Sequence, residues 1–481
     1  MAVWRPPERI KHLPSDAPWP TPGEVETSRL FSPIQVGSAT LRARTWVPAM
    51  VPWRASEQGD VTPAVLAWYE RFARGRPAAL VVEATGVRDT ASGPLLRISH
   101  DRFLTGLKQL VDCVRQASGG ETRLFIQIID FLSIRRRPEP SKFFERFLTV
   151  TDRHREYFGL RHADDTAVRA RLRTATDAEL DQALSAGELE ALRVGLRQRV
   201  TDIDKAEIRG LPATLPGIFA AAAHRALQAG FDGVELHCAH AYTLASFLSA
   251  HNVRSDGYGG AREHRIRLPL EVLAAVRARV GSNFVVGCRL LSEECIDGGS
   301  EVAEAAWFAQ RFAAAGIDFI SLSRGGKFED ASQPKVGEAA YPYTGRSGYE
   351  CMPSYYSDAK GPFGRNVQAS AAIRAVVRGA GFSTPVVLAG GMHHFGQAEQ
   401  ALREEAADII GFARQALADP DWFLKVREGR GEAVRRCIYT NYCEALDQRH
   451  REVTCELWDR SDLGTPGLMM SADGKRRLVA P

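Results

Sequence analysis

Residues 230–260 read GFDGVELHCAHAYTLASFLSAHNVRSDGYGG. The short apolar run DGVELH (232–237) predicts a buried strand, because a continuous apolar stretch of this length next to glycine is typical of strands covered on both faces. Two imidazoles and a phenol follow where this strand ends. The stretch therefore predicts a strand of a helix-covered sheet that ends at a polar site.

Runs of the same kind occur eight times, and each is followed by a glycine, proline or polar break. They are RTWVPAM (44–50), ALVVEA (79–84), RLFIQII (123–129), DGVELH (232–237), FVVGCRL (284–290), IDFISLS (317–323), PVVLAG (385–390) and DIIGF (408–412). Amphipathic stretches such as LPLEVLAAVRARVG (268–281) lie between them and predict helices. Eight strand–helix alternations predict an α/β protein with a (β/α)8 TIM barrel.

The chain has 481 residues, nearly twice the length of a plain barrel of about 250. Three segments hold most of the excess: an N-terminal arm over 1–28, a long helical insertion after the third strand over 132–211, and a long loop after the sixth over 327–366. We expect the barrel domain over 29–430 and a C-terminal extension over 431–481. Both insertions follow strand ends, so they are candidates for lids or for contacts of a homo-oligomer.

Two helix starts can be recognised within the first insertion. Thr176 with Glu179, and Ser185 with Glu188, have the spacing of capping boxes. The second helix is predicted to present an apolar face made of Leu189, Leu192 and Leu196.

Composition and charge exclude several classes of function. Lys and Arg number 62 against 58 Asp and Glu, and the net charge of +4 gives no electrostatic case for nucleic acid or an anionic membrane as partner. No apolar run approaches the roughly 20 residues that cross a bilayer, and the first residues lack the apolar core of a secretion signal. We expect a cytoplasmic protein with a small-molecule partner. Its eight scattered cysteines predict reduced thiols.

Polar residues and glycines mark the ends of several predicted strands. Gln127 interrupts the third, His237 ends the fourth, Arg289 lies near the end of the fifth, and Gly390 and Gly391 follow the seventh. Taken singly, each could be a rim ion-pair partner, a hydrogen-bonded amide or a turn. A planar electron-accepting ring with a phosphate tail would explain them together. The Gln127 amide could hydrogen-bond the edge of the ring, the Arg289 cation could stabilise negative charge on it, and the glycine-rich turn could offer N–H groups to the phosphate.

Segment 230–260 resembles the signature of the Old Yellow Enzyme family of NADH:flavin oxidoreductases, and the chain is similar to the barrel domain of 2,4-dienoyl-CoA reductases. The likeness extends over LFSPIQVGSATLRARTWVPAM (30–50), VVEATGV (81–87), LFIQI (124–128), VVGCRLL (285–291) and the run from PVVLAGG to DIIGFARQALADPDWFLKVREG (385–429). The resemblance implies an FMN-dependent ene-reductase. Such an enzyme transfers hydride from NAD(P)H-reduced flavin to the C=C bond of an α,β-unsaturated carbonyl, either an enone or an enoyl-CoA thioester.

The resemblance also implies residue roles. The residues that it places at the flavin are Met50, Ala84, Gln127, Arg289, Gly391, Ala413 and Arg414. The last three would take the phosphate, while Gln127 would bind the pyrimidine edge and Arg289 would lie by N1. His237 and His240 match the pair that holds the substrate carbonyl, and Tyr242 matches the proton donor. These types suit the chemistry, since two donors stabilise charge on an oxygen and a phenol is protonated at neutral pH.

Some positions depart from the family pattern. Asp130 stands where the family has a histidine after the third-strand glutamine, and Val51 stands where a Thr or Cys tunes the flavin. RRCIYTNYCEALDQRHREVTC (435–455) resembles the segment that binds a [4Fe–4S] cluster in dienoyl-CoA reductases, but Thr440 occupies the second cysteine position. The thiols that remain are Cys437, Cys443 and Cys455. Because such clusters take four thiolates, we expect no cluster.

Other features limit the reaction without naming the substrate. No GxGxxG lies between a strand and a helix, so we expect NAD(P)H to reduce the flavin directly and to alternate with the substrate in ping-pong kinetics. His237 and His240 lack the third ligand of a catalytic zinc site, so no metal is expected. Two alternatives stay open: an amine dehydrogenase-like or demethylase-like oxidoreductase, and a barrel that binds a flavin or another ligand without turnover. Arginines 135–137 could receive a CoA phosphate or form a solvated loop.

Overall fold

Two units make up the chain in the computed structural model, which describes residues 16–90, 93–296, 298–325, 336–337 and 362–481. The smaller unit is built on Leu132–Arg199, and the larger contains Pro7–Phe131, Val200–Phe328 and Pro353–Pro481. Nearly all of the loop predicted over 327–366, and the first part of the predicted N-terminal arm, lie outside the described residues.

Eight parallel strands of the larger unit close into a barrel. An antiparallel hairpin of β1 (Ile34–Val36) and β2 (Ala39–Leu41) precedes it. The barrel strands are β3 (Thr45–Val47), β4 (Ala79–Gly86), β5 (Arg123–Ile129), β6 (Gly233–Cys238), β7 (Val285–Leu291), β8 (Phe319–Ser323), β9 (Val386–Ala389) and β10 (Ile409–Gly411). Each pairs with the next, and β10 closes on β3. The predicted (β/α)8 barrel and its eight strands are confirmed, whereas the hairpin was not predicted.

Helices follow the strands and cover the barrel. In chain order the helices are α1 (Pro22–Glu26), α2 (Pro63–Arg74), α3 (Leu104–Ser118), α4 (Pro140–Lys142), α5 (Asp152–Tyr157), α6 (Asp165–Arg173), α7 (Asp177–Ala183), α8 (Ala186–Arg193), α9 (Ala206–Arg209), α10 (Leu211–Ala229), α11 (Thr243–Leu248), α12 (Arg262–Arg265), α13 (Arg267–Val280), α14 (Val302–Ala314), α15 (Val367–Gly379), α16 (Phe395–Arg403), α17 (Arg414–Ala418), α18 (Trp422–Arg427) and α19 (Tyr442–Gln448). Helices α3 and α10 end at glycines with φ of 63° and 91°, a conformation that glycine adopts without strain. In the described part of the chain, no helix combines the length and the apolar character needed to cross a membrane.

An aromatic layer fills the lower part of the barrel. The Trp46 ring stacks on Phe125 at 5.1 Å between centroids and meets Phe319 edge-on at 4.9 Å. A Cβ atom at Gly287 would lie 2.2 Å from the Phe319 ring, so this position needs glycine. Because side chains alternate along a strand, the inward positions that follow this apolar layer are those at which polar groups appear.

Helices α4–α8 belong to the smaller unit and enclose a core of their own. Its buried members are Phe143, Phe144, Leu148, Val150, Val168, Leu172, Leu180, Ala183, Leu184 and Leu192. Both predicted capping boxes are present, at Thr176 before α7 and at Ser185 before α8. The prediction for Leu196 was wrong, because α8 ends at Arg193. Gly195, with φ of 111°, breaks the helix, and the Leu196 carbonyl accepts from the Arg135 N–H at 2.8 Å.

Candidate active site

A polar layer lies on four neighbouring barrel strands. Gln127 of β5 is in register with Glu235 of β6, and His237 of β6 is in register with Arg289 of β7, which pairs in turn with Ser321 of β8. Gln127, Glu235 and His237 are buried, with 4%, 1% and 3% of their surfaces exposed. The structure therefore brings together three of the predicted site residues, which are 52 or more positions apart in sequence, Gln127, His237 and Arg289.

Hydrogen bonds connect this layer. The Gln127 Nε2 group donates to Glu235 Oε1 at 2.6 Å, and Arg289 Nη1 donates to Ser321 Oγ at 2.7 Å. Burial raises the pKa of Glu235, an effect that the nearby Arg289 opposes. Burial lowers the pKa of Arg289, and Glu235 opposes that. Neither Glu235 nor Ser321 was predicted from the sequence. For Glu235 a signal was present, because an acidic residue stands two positions before His237 on the same face of an apolar strand.

Three rings meet beyond the end of β6. The centroid of the His237 ring lies 5.2 Å from that of His240 and 5.0 Å from that of Tyr242. His240 and Ala241 have φ of 52° and 73°, so the chain makes a left-handed turn between β6 and α11. Such conformations are uncommon outside glycine and concentrate at functional sites. The turn allows residues 237, 240 and 242 to form one group.

Hydrogen bonds fix the histidines of this group. His237 Nδ1 accepts from the Ala239 backbone N–H at 3.2 Å, so a neutral His237 ring carries its proton on Nε2. His240 Nε2 lies 2.6 Å from Ser323 Oγ at the end of β8. His237 is thereby prepared as a hydrogen-bond donor, and Ser323 holds the second ring. Ser323 was also missed, because the run IDFISLS was interpreted only as a strand.

Asp130, one of the departures from the family pattern, forms an ion pair with Arg88 in which only the carboxylate is fully buried. Its carboxylate accepts from Arg88 Nε at 2.5 Å and from Arg88 Nη2 at 3.0 Å. Burial raises the pKa of Asp130 although Arg88 opposes the rise. The Asp130 carbonyl accepts from the Thr243 N–H at 3.1 Å, and the next residue, Phe131, meets the Tyr242 ring edge-on at 6.5 Å. Asp130 and Phe131 therefore support the segment that presents Tyr242.

The residues predicted to take a phosphate lie three and four strands away from β6 in the ring. Gly391 follows β9 with φ of 69°, and a Cβ atom there would lie 1.8 Å from the Pro362 carbonyl oxygen, so the turn accepts only glycine. Ala413 follows β10, and Arg414 begins α17. Arg414 Nη1 donates to Asn441 Oδ1 at 2.6 Å, and the guanidinium lies 4.7 Å from the centroid of the Tyr439 ring.

The two apolar residues predicted beside the flavin lie between these groups in the ring. Met50 is half-buried and follows β3, and Ala84 is buried in β4. Ala84 lies at a register shift between Val82 and Thr85, where β4 bulges against β5. Bulges of this kind re-aim side chains near active sites.

The groups present fit a flavin that carries phosphate. The Gln127 carbonyl oxygen accepts no hydrogen bond from a described residue, and Arg289 donates only one N–H within the described chain. The Gln127 carbonyl oxygen can accept a hydrogen bond from the N–H edge of an isoalloxazine ring. The remaining N–H groups and the positive charge of Arg289 suit the negative charge that develops on this ring when it is reduced. Beside β9 and β10, the glycine turn at Gly391 together with Arg414 matches a phosphate.

Three cysteines gather next to Arg414. Cys437, Cys443 and Cys455 line a cavity of about 20 Å³ with Arg414 and Asn441. Burial raises the pKa of each thiol, to about 12 for Cys455, which disfavours the thiolate form that binds metal. The seven cysteines in the described part of the chain are free thiols, and its His, Cys, Asp and Glu side chains form no group of three that could hold a metal ion. That the segment carries no cluster stays a prediction.

Known proteins resemble this chain over most of its length. The chain is 26% identical over 417 residues to the NADH oxidase of Thermoanaerobacter brockii, which covers 86% of this chain and 52% of that protein. It is 26% identical over 459 residues to the N,N-dimethylglycine/sarcosine dehydrogenase of Chromohalobacter salexigens, which covers 94% of this chain and 56% of that protein. The chain thus spans about half the length of these curated relatives.

A solved structure of 2-naphthoyl-CoA reductase superposes with a TM-score of 0.64 and 21% identity, over 89% of this chain and 56% of that one, and shows the shared fold. The sequence profile of the NADH:flavin oxidoreductase / NADH oxidase family matches residues 29–131 and 197–433. These two ranges contain every residue of the polar layer, the ring group and the glycine turn. The chain therefore belongs to the NADH:flavin oxidoreductase / NADH oxidase family.

Proposed function

We propose that this protein uses FMN and NAD(P)H to reduce the C=C bond of an α,β-unsaturated carbonyl compound. The grouping of His237, His240 and Tyr242 carries the proposal, because it combines hydrogen-bond donors and a proton donor beside the polar layer of Gln127 and Arg289. A substrate oxygen that gains negative charge and a carbon that needs a proton require this pair of functions.

Bound FMN would take two electrons from NAD(P)H and supply them as hydride to the substrate's β-carbon. Gln127 would bind the pyrimidine edge, and Arg289, which is cationic at all relevant pH, would favour negative charge on the ring. Gly391, Ala413 and Arg414 would hold the phosphate, and Met50 and Ala84 would pack against the ring. These residues orient the cofactor relative to the three-ring group.

His237 and His240 would hold the substrate's carbonyl oxygen. His237 donates from Nε2, since its Nδ1 is occupied by the Ala239 N–H. Donors aimed at an oxygen that becomes negative stabilise the transition state more than the ground state. Tyr242 then gives its phenolic proton to the α-carbon. Enones and enoyl-CoA thioesters both present such an oxygen, so either class fits the proposal.

We further propose that the protein is a cytoplasmic enzyme that acts on small molecules. This proposal is compatible with a homo-oligomer and includes no nucleic-acid or membrane partner.

The first test separates the two half-reactions of Tyr242→Phe. We expect NAD(P)H to bleach the flavin of this variant at the wild-type rate, while reoxidation by an enone slows by about 10²–10⁴-fold, since a general acid is lost. Stopped-flow absorbance under anaerobic conditions measures both steps. Tyr258→Phe is the matched control, because that hydroxyl hydrogen-bonds Glu271 outside the ring group. Equal slowing of both half-reactions in the Tyr242 variant would contradict the assigned role.

The match to a dimethylglycine/sarcosine dehydrogenase favours a second candidate, oxidation of an N-methylated amine. In that reaction the oxidised flavin is bleached by the amine and needs no NAD(P)H. Mixing the oxidised protein anaerobically with a panel of secondary and tertiary methylamines distinguishes the two candidates. Bleaching by an amine, with no reoxidation by enones or acyl-CoA thioesters, would replace the first proposal. A protein that stays colourless when FMN is added would contradict both.

A further inference from the structure

A fully buried carboxyl group lies among the predicted flavin contacts without a role in the reaction just described. Glu235 occupies the middle of β6, in register with Gln127 on one side and with Gly287 on the other. Its Oε1 atom accepts from Gln127 Nε2 at 2.6 Å. Its Oε2 atom is buried and makes no hydrogen bond of good geometry with a described residue, although the Ser321 hydroxyl is close enough to lower the pKa of the carboxyl. Burying a carboxyl whose hydrogen bonds are incompletely satisfied costs stability, and a functional role at the site would explain that cost.

Arg289 is the charged neighbour of this carboxyl. The guanidinium lowers the pKa of Glu235 against the effect of burial, and the carboxylate raises the pKa of Arg289 against the same effect. Ser321 takes one Arg289 N–H at 2.7 Å. Glu235 is thus electrostatically coupled to one predicted flavin contact and hydrogen-bonded to another.

The hydrogen bond to Gln127 has a chemical consequence. Gln127 Nε2 donates this hydrogen bond and Glu235 Oε1 accepts it, so the NH₂ group of the amide is turned toward Glu235. The opposite end of the amide is then its carbonyl oxygen, which is an acceptor. A ligand edge read by this oxygen has to supply an N–H group, and the pyrimidine part of a flavin has one.

We propose that Glu235 is a positioning residue for the flavin: it holds the Gln127 amide with its carbonyl oxygen toward the ring and offsets part of the charge of Arg289. The inference rests on the proposed FMN site and names a residue that does not touch substrate. It has two measurable effects. Loss of the carboxylate should weaken FMN binding, because the amide is no longer fixed. It should also make the flavin easier to reduce, because the positive charge of Arg289 is no longer balanced beside the ring.

Glu83 is a matched control. It lies on the barrel strand β4, is 0% exposed, and burial raises its pKa well above the ordinary value. Neither of its carboxyl oxygens is hydrogen-bonded to a described residue, and its charged neighbour is Arg54 rather than Arg289. Glu83→Gln therefore changes another buried carboxyl on a barrel strand and leaves Gln127 and Arg289 unchanged.

The experiment compares wild type, Glu235→Gln, Glu235→Asp and Glu83→Gln. FMN is titrated into each apoprotein with fluorescence quenching as the readout, and the midpoint potential of each holoprotein is measured against redox dyes. We expect Glu235→Gln to raise the Kd for FMN about tenfold, the scale of one charge-assisted hydrogen bond, and to shift the potential to a more positive value. Glu235→Asp keeps the charge but shortens the reach to Gln127, so its Kd should rise while its potential stays near that of wild type. Glu83→Gln should leave both quantities unchanged.

Three results would overturn the inference. If Glu235→Gln and Glu83→Gln give the same Kd and potential, Glu235 is only a core residue. The proposed function is unaffected by that result, because it is tested separately by flavin reduction with NAD(P)H and reoxidation by an enone. If Glu235→Gln does not fold, the Asp variant decides, since an unchanged Kd there removes the role in holding Gln127. If wild type itself binds no FMN, the proposed function fails together with the inference.

Discussion

Asp130 shows how a residue that departs from the family pattern can be accommodated near the proposed proton donor. Its side chain is completely buried, whereas the side chain of its partner Arg88 is 32% exposed. A lone carboxylate in that position would carry a large desolvation cost, and the bidentate guanidinium offsets it. The Asp130–Arg88 pair therefore adds little net stability. Its effect is to allow an acidic residue to be buried near Phe131 and Tyr242.

We predict that Arg88→Met lowers the free energy of unfolding at pH 7 by about 2–4 kcal/mol, less than the full range for a buried pair because Arg88 is partly exposed. Burial already raises the pKa of Asp130, so its favourable contribution to folding is present at low pH and is lost as the pH rises through the raised pKa. Removing Arg88 raises that pKa further. Denaturant unfolding between about pH 4 and about pH 8, the range in which a carboxyl with a raised pKa titrates, should show a steeper loss of stability for the variant. The double variant Arg88→Met with Asp130→Asn should flatten this dependence, and a steep profile there would place the titrating group elsewhere.

Ser323 is a second residue whose effect should be visible in isolation. Its hydroxyl lies 2.6 Å from His240 Nε2, so it fixes the ring that is proposed to hold the substrate oxygen. We predict that Ser323→Ala slows reoxidation by an enone about fivefold, the scale of one neutral hydrogen bond, and leaves reduction by NAD(P)H unchanged. Ser370→Ala, which removes a buried hydroxyl that donates to the Ala406 carbonyl outside the ring group, is the control. A larger loss in the reductive step would show that Ser323 acts on the flavin instead.

At the scale of elements, the barrel strands were predictable because each is a continuous apolar run, buried by helices on its outer face and by the barrel interior on its inner face. The hairpin β1–β2 was missed because strands of three residues carry too little periodicity to be recognised. Glu235, Ser321 and Ser323 were missed because their runs were read as uniformly buried, whereas inward and outward positions differ near the mouth of a barrel. Leu196 was placed on a helix because its spacing fits, although Gly195 ends the helix before it.

The segment that contains Cys437 and Cys443 has a structural role at Arg414. Tyr439 lies under the Arg414 guanidinium and Asn441 accepts from it, and both residues adopt left-handed backbone conformations with φ of 52° and 58°. Two strained residues in so short a segment indicate that the surrounding contacts impose this shape. The segment therefore orients Arg414, whether or not its thiols ever held a metal.

We predict that Asn441→Gly weakens FMN binding about tenfold, or about 1.4 kcal/mol, because Arg414 loses the acceptor that orients it. Glycine is the right replacement, since it keeps the left-handed backbone and removes only the side chain. Asp462→Gly is the control, because Asp462 also has a positive φ of 52° but is exposed on the extension. Fluorescence titration of the apoproteins measures the effect. Equal affinities for the two variants would remove Asn441 from the phosphate end of the site.

At the scale of the whole molecule, the backbone pairing at the two ends of the smaller unit is that expected of an inserted segment. Its first and last residues pair with each other: Ile134 and Arg197 form an antiparallel bridge, the Arg135 N–H donates to the Leu196 carbonyl at 2.8 Å, and the Gln198 N–H donates to the Ser133 carbonyl at 3.0 Å. The chain thus leaves and returns at neighbouring backbone positions. The family profile omits the same segment, since it stops at residue 131 and resumes at 197.

We predict that replacing residues 135–196 with Asn-Gly leaves the barrel folded and able to bind FMN. Ile134 and Arg197 are already paired in antiparallel fashion, so a two-residue turn can connect them in the existing register. The hydrophobic core of the removed segment consists of residues of that segment, so excision removes this core as a whole. Circular dichroism and FMN titration test the fold, and an enone and acyl-CoA panel tests which substrates the variant accepts. An affinity for FMN within a few-fold of wild type with an altered substrate range would assign the insertion to specificity, whereas an insoluble or colourless variant would show that the barrel depends on it.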